Sequence, residues 1–281
     1  MKPAPFSYVR PSSLEETLTL LEANGDEARI LAGGQSLVPM MNLRLVRPEI
    51  IIDIQDLDLT ELSVDPDGVT IGALVTQRVL EDADTVKKHC PLLSEAIPYV
   101  AHPPIRQRGT IGGTIAHSDP ASEIPTVLLA LGGSVTLKSA RNVREISAAD
   151  YFLGFMTNAA EPQEMVTGVR FPSWIGAGTA FEEFARRPGD YALAMVAAVV
   201  SRKEARMRVA IGGVGGTPLV IETTSLPEST DALAAEAVEC TLKQLDPQSD
   251  IHASADYRAH LVRHLTERAV RRAVQAEERY L

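Results

Sequence analysis

Cysteine is almost absent from this chain of 281 residues, which holds only Cys90 and Cys240, far apart and in no Cys-x-x-Cys spacing. Two isolated thiols cannot carry an iron–sulfur cluster or a cysteine-rich zinc ion, and they read as free thiols, with no metal site on this chain. Positive charge is also short: 27 Lys and Arg face 37 Asp and Glu, a formal net charge of −10. A nucleic-acid binder needs the opposite balance. Any phosphate held here must be met by local N–H groups, not by the overall field. Long apolar runs are missing too. The best stretches, 124–137 and 191–201, are shorter than a bilayer span, and Gly132-Gly133 interrupts the first. Met1-Lys2-Pro3-Ala4-Pro5 has no apolar signal core, so a cytoplasmic protein without a membrane span is expected.

What is present is the composition of an ordinary globular protein, 45% apolar and 23% charged, long enough for one large domain or two modest ones. Ser13-Leu14-Glu15-Glu16 is a capping box, with Leu14, Leu18 and Leu21 on one helical face and Asn24-Gly25 as the stop. Strands are expected at 28–32, 49–54, 68–74, 134–137 and 164–171, with a short helix at 39–45 and one helix over 76–89. Residues 172–178, Pro-Ser-Trp-Ile-Gly-Ala-Gly, read as a linker. Beyond it, 179–185, 192–201 and 207–212 form short strands or helices, and helices at 230–245 and 256–278 close the chain. Strands and helices mix without a βαβ rhythm, which favours α+β over a doubly wound sheet.

The features that carry chemistry are two glycine pairs: Ala32-Gly33-Gly34-Gln35-Ser36 and Thr110-Ile111-Gly112-Gly113-Thr114. Glycine accepts positive φ and has no Cβ, so such turns let backbone N–H groups approach an anion. Two in one domain, each followed by a hydroxyl, could grip a diphosphate from both sides. A dinucleotide cofactor follows as the first idea. The Rossmann fingerprint does not fit, because Pro39 falls within the helix that Gly33-Gly34 would have to open. Taken singly, a glycine pair more often marks a tight turn than a phosphate cradle. Asp119-Pro120 and Asp190 read equally as turn formers, Tyr191 as a core aromatic, and Arg186-Arg187 as a solvated face. His102 and His117 suit local hydrogen bonds.

The order of motifs is more specific than any one of them. Ile30-Leu31-Ala32-Gly33-Gly34-Gln35-Ser36-Leu37, Asn42-Leu43-Arg44, Arg106-Gln107-Arg108-Gly109-Thr110-Ile111-Gly112-Gly113 and Ala116-His117-Ser118-Asp119-Pro120-Ala121 follow one another. Then come Arg186-Arg187-Pro188-Gly189-Asp190-Tyr191-Ala192, Ala210-Ile211-Gly212-Gly213-Val214 and His252-Ala253-Ser254-Ala255-Asp256-Tyr257-Arg258. Over nearly its whole length the chain resembles the flavin-binding medium subunit of the molybdenum hydroxylases, which include carbon monoxide dehydrogenase, quinoline oxidoreductase and xanthine dehydrogenase relatives.

The resemblance implies an α+β, two-subdomain FAD-binding fold of the PCMH, or vanillyl-alcohol-oxidase, type at 1–174, with subdomains at about 1–55 and 56–174. A smaller α/β C-terminal flavoprotein domain would occupy 177–281. Ala32, Gly33, Gly34, Gln35, Ser36 and Leu37, with Thr110, Ile111, Gly112, Gly113 and Thr114, would wrap the FAD diphosphate, helped by the Ser36 and Thr114 hydroxyls. Asp119 would lie along sugar hydroxyls, Glu123 near the flavin ring and Tyr191 against one face of it. The resemblance further implies an oxidoreductase subunit without catalytic side chains of its own. Electrons would reach FAD from [2Fe-2S] clusters of a small partner and leave to an external acceptor. The molybdenum cofactor would sit on a large partner, in a dimer of heterotrimers. A stand-alone flavin oxidase and a flavin-less scaffold are the alternatives. One departure stands out: where relatives often place a lysine, near Glu182-Glu183, this chain has two carboxylates. The amphipathic C-terminal helix, with Leu261, Leu265, Ala269 and Ala273 on one stripe, either packs on its own domain or docks a partner.

Overall fold

The computed structural model describes residues 2–279. Strands β1 (Ser7–Val9), β2 (Ala28–Leu31) and β3 (Ile50–Asp53) form a parallel sheet in the order β1-β3-β2. Its central strand runs Ile-Ile-Ile, β-branched and buried throughout, as a parallel centre requires. Helix α1 (Leu14–Asn24) sets Leu18 and Leu21 against Ile50 and Ile52. Its Ser13 cap accepts from the Glu16 N–H at 3.1 Å, while the Glu16 carboxylate reaches one residue further back than the motif suggests, to the Ser12 N–H. Beyond β2 the chain turns into α2 (Leu37–Asn42).

Strands β4 (Leu62–Asp65), β5 (Gly68–Gly72), β6 (Ser134–Lys138) and β7 (Val143–Ser147) start a second, antiparallel sheet. A small hairpin of β8 (Phe152–Gly154) and β9 (Thr157–Asn158) precedes β10 (Met165–Pro172), which completes the order β4-β5-β10-β6-β7. Six helices fill the connection from β5 to β6: α3 (Gln77–Asp82), α4 (Asp84–His89), α5 (Pro91–Ala96), α6 (Pro103–Arg106), α7 (Ile111–His117) and α8 (Glu123–Leu131). The single helix expected over 76–89 is two, because Ala83 is extended (φ −67°, ψ 114°). Leu80 and Val86 are both fully buried. Six residues of continuous helix would leave them about 120° apart, so the break lets both face the core. A short helix, α9 (Ala148–Tyr151), joins β7 to β8.

The last third is an antiparallel meander of β11 (Gly178–Phe184), β12 (Ala194–Ser201), β13 (Arg206–Gly212) and β14 (Leu219–Thr223), followed by α10 (Thr230–Gln244) and α11 (Ala255–Glu277). Strand alternation divides its side chains cleanly. Ala180, Val196, Ala198 and Val200 pack with Val262, Ala269, Val270 and Ala273 of α11. Phe181, Met195, Ala197 and Val199 face the other way and join one core with Ile124, Val127 and Leu128 of α8. β12 is therefore buried at all eight positions. The architecture is α+β, as expected, and the docking alternative for the α11 apolar stripe gives way to packing on the adjacent sheet.

Candidate functional site

The two glycine loops meet. A Cβ on Gly33 would lie 2.8 Å from the Arg108 carbonyl carbon and 2.9 Å from the Gly109 Cα, so only glycine lets the backbones come this close. Gly34, at φ 72°, then turns the chain into α2. From the other side, the Ile111 and Gly112 N–H groups each donate at 3.0 Å, to the carbonyls of Val75 and Ala73. A bridge between Thr76 and Thr110 and a 2.8 Å bond from the Gln77 N–H to the Gly109 carbonyl extend the seam.

These bonds give the loops different parts. In the second loop the Gly113 N–H donates to the Thr110 hydroxyl at 3.1 Å, and the Thr114 N–H to the Thr110 carbonyl at 3.0 Å. The Thr114 hydroxyl accepts from Gln77 Nε2 at 2.9 Å and donates back to the Thr110 carbonyl at 3.2 Å. All four amides from 111 to 114 are thus engaged within the protein. In the first loop the reverse holds. Among the described residues, the N–H groups of Gly33, Gly34, Gln35 and Ser36 have no hydrogen-bond partner, and the Ser36 hydroxyl makes no cap bond. Four adjacent free donors beside a cavity form a ready anion site, because unpaired backbone groups need a partner.

A cleft of about 800 Å³ opens along both loops. Residues 32–37, Thr110, Gly112, Gly113, Thr114, Glu123 and Tyr191 line it. Two residues singled out from sequence stand back from the lining. Ile111 is fully buried in the core, and Asp119, 8% exposed, accepts from the Ala121 N–H at 2.9 Å, a turn-forming bond. Tyr191 is 64% exposed at the rim. His117 lines the wall, its pKa held below the usual histidine value by burial. Sequence reasoning missed Gln77 and Asn158. Gln77 is buried, and its Oε1 has no partner. Asn158, on β9, donates to the Ala116 carbonyl at 2.9 Å and the Ser118 hydroxyl at 3.0 Å. Both reach the site through long-range pairings that no local pattern announces.

The carboxylates at 182 and 183 split across β11. Glu182 points to α11, where Arg268 and Arg272 pair with it at 2.9 and 2.8 Å. Glu183 points the other way, toward α8. Burial raises its pKa to about 8, with the nearby Glu123 adding to the effect. Glu123, the first residue of α8, is itself pushed up to about 7 by burial and by the Asp119 charge, against the opposing pull of a hydrogen bond from its own backbone N–H and of the Arg106 guanidinium. The inner wall of the cleft thus carries one carboxyl group that binds a proton near neutrality, Glu123, with a second, Glu183, close enough to feel its charge.

A glycine-lined cleft with one row of free amides, between an α+β body and a helix-backed antiparallel sheet, is suited to a phosphate-bearing cofactor. Residues 4–174 match the family model described as "FAD binding domain in molybdopterin dehydrogenase", and residues 179–273 the one described as "CO dehydrogenase flavoprotein C-terminal domain". The chain is 41% identical to the nicotine 6-hydroxylase medium subunit of Paenarthrobacter nicotinovorans, over 96% of this chain and 98% of that one. It is 38% identical to the 6-hydroxypseudooxynicotine dehydrogenase complex subunit alpha of the same organism, over 98% and 96%. Quinoline 2-oxidoreductase from Pseudomonas putida 86 superposes with a TM-score of 0.90 at 35% identity, covering 100% of this chain and 99% of that one. The protein belongs to the FAD-binding medium subunits of the molybdenum hydroxylases, and is an oxidoreductase subunit. No helix among the described residues is long and apolar enough to cross a membrane.

Proposed function

We propose that this chain holds FAD in the cleft and serves as the electron-transfer subunit of a molybdenum hydroxylase. The observation that carries the reading is the row of free N–H donors at Gly33, Gly34, Gln35 and Ser36. In a chain of net charge −10, such donors are what a diphosphate needs. The Ser36 hydroxyl adds a fifth donor, and Ala32 and Leu37 frame the turn. Thr110, Ile111, Gly112, Gly113 and Thr114 act differently, as the shaped wall against which the first loop rests. Gly113 keeps that wall thin, since a Cβ there meets nothing nearer than the Thr110 hydroxyl and would fill cleft space. Asp119 acts through its charge on Glu123, and Tyr191 covers the open side.

FAD, when bound, supplies storage for a pair of electrons, and the protein supplies placement and electrostatics. In this reading the [2Fe-2S] clusters lie on a small partner and deliver electrons here, the molybdenum cofactor lies on a large partner that chooses the substrate, and an external acceptor takes the electrons away. The assembly is a dimer of heterotrimers in the cytoplasm. The chain divides at residues 172–178 into an FAD-binding part, 1–174, and a C-terminal part, 177–281.

The test is the visible spectrum of the purified chain before and after FAD addition, with extraction of any bound nucleotide. Recovered FAD and a flavin spectrum support the cleft assignment. Bleaching should require the partner subunits. Bleaching by an organic substrate with the lone chain would make it a self-sufficient oxidase, and failure to take up FAD even in the assembled complex would leave a scaffold.

A further inference from the structure

The inner wall of the cleft has a property that FAD binding alone does not require. Glu123 is 6% exposed and lines the cleft, and its carboxylate accepts a hydrogen bond from its own backbone N–H and from no other group among the described residues. Glu183 approaches from β11, and its Oε2 is buried without a partner. The groups facing the two come from every neighbouring element. They are Tyr99 before α6, Arg106 on α6, Asp119 in the α7–α8 turn and Tyr191 in the β11–β12 connection. Arg106 is committed elsewhere, to Glu81 at 2.9 Å and to the Val100 carbonyl at 2.9 Å. Glu182, with Arg268 and Arg272, lies on the opposite face of β11. Glu95 on α5 is taken by the Phe181 N–H and by Arg272. Two neighbouring carboxyl groups, one buried and one half-buried, with no free cation facing them among the described residues, resist ionising together.

We propose that Glu123 and Glu183 hold one proton between them, and that Glu123 offers it to an acceptor atom of the cofactor in the cleft. The proposal rests on the reading of the cleft as an FAD site. A protonated carboxyl is a donor, so this wall supplies a hydrogen bond where an ionised pair would repel an anionic ligand. The pair titrates at and just above neutrality, Glu123 at about 7 and Glu183 at about 8. Seating a ligand removes water and engages the proton. Both effects favour the protonated pair, so binding takes up a proton wherever the pair is partly ionised.

The experiment uses the full chain, its Glu123→Gln and Glu183→Gln variants, and the double variant. First, the carboxyl signals of 13C-glutamate are titrated without FAD. The parent should show carboxyls titrating between about pH 6 and 9 that the double variant lacks, and Glu123→Gln should weaken proton binding at Glu183 by roughly tenfold, since the Glu123 charge raises it. Second, FAD binding is measured by calorimetry in two buffers of different ionisation heat. The parent should take up a proton at alkaline pH, and its affinity should fall about tenfold per pH unit above about 8, while the double variant shows neither effect. Equal proton uptake in parent and double variant, or no glutamate titrating in that window, overturns the proposal. Failure to bind FAD at any pH removes the cofactor reading and the donor role with it, and the first titration then decides the shared proton alone. Circular dichroism of each variant confirms that it is folded.

Discussion

Replacing Gly33 with alanine isolates the seam between the two loops. Gly33 does not have a positive φ, so alanine brings no backbone strain, in contrast to Gly34 at φ 72°. What it brings is a methyl group 2.9 Å from the Gly109 Cα and 2.8 Å from the Arg108 carbonyl carbon. Ordinary carbon contacts lie near 3.5–4.0 Å, so one loop must withdraw by roughly 1 Å. Neither retreats freely, because Gln77, Ile111 and Gly112 fasten the second loop through bonds of 2.8–3.0 Å and β2 anchors the first. Overpacking of this kind costs about 1–3 kcal/mol. Denaturant unfolding should show that loss in the midpoint, with an unchanged slope. FAD affinity should fall at least about tenfold, because the same displacement moves the four free N–H groups, and a placement error near 1 Å is worth that much in an ordered site. The control is Gly113→Ala, whose methyl meets only the Thr110 hydroxyl, at 2.9 Å. It should weaken FAD binding with a smaller change in stability. If Gly33→Ala binds FAD and unfolds as the parent does, the loop contact does not shape the site.

Glu183→Gln should be stabilising, and only at high pH. The folded-state pKa is raised from 4.5 to about 8, so the parent loses stability as pH climbs from about 4.5 to about 8. Below that range parent and variant should match, and above it the variant should lead by about 3 kcal/mol, less than the full shift implies because Glu183 is only half-buried. Urea midpoints at about pH 4 and about pH 9 check this, and an unchanged difference refutes the shift. Arg208→Ala should cost about 3 kcal/mol, because its guanidinium donates to the Ala130 and Leu129 carbonyls at 2.8 and 2.9 Å and pairs with Glu222. Thermal melting reads the loss, and a change under about 0.5 kcal/mol would show that this clamp between α8 and β13 carries no weight. Tyr191→Ala should change the rate of flavin reoxidation by external acceptors more than it changes FAD affinity, since the ring stands 64% exposed at the cleft rim. Stopped-flow reoxidation that matches the parent would count against that placement.

Much of the fold was legible because it is written locally. The Ser13 capping box, the triple isoleucine of β3 and the unbroken apolar run of β12 each fix an element through period or burial alone. The break at Ala83 was not legible, since it answers to where Leu80 and Val86 must point in three dimensions. At the site, both glycine loops could be found from sequence, but their division of labour could not. Whether an amide is free depends on partners some forty positions away, such as Ala73 and Val75 for Gly112 and Ile111. Ile111 falls between two lining residues in sequence and Asp119 two positions after His117, and yet both stand back from the cleft. Gln77 went unnoticed because its importance lies in its bond to Thr114. Glu182 and Glu183 show the same limit. Sequence put two acids side by side, and only strand alternation sends one to Arg268 and the other toward Glu123.

That alternation bears on how the site is assembled. The first loop and its free amides come entirely from the part of the chain before residue 174. The inner wall does not. Glu123 stands at the start of a helix whose buried face, Ile124, Val127 and Leu128, shares its core with Phe181, Met195, Ala197 and Val199. The far end of that helix is held by Arg208 of β13. Glu183 and Tyr191 come from the meander itself. The end of the cleft with the free amides is therefore the property of one segment, and the end that carries Glu123 and Tyr191 is built jointly. Loosening the meander from α8, as Arg208→Ala does, should then disturb the Glu123–Glu183 titration while sparing the Gly33 turn. The carboxyl titration and FAD affinity, measured on that one variant, should separate, and a parallel loss in both would show that the cleft responds as a single unit.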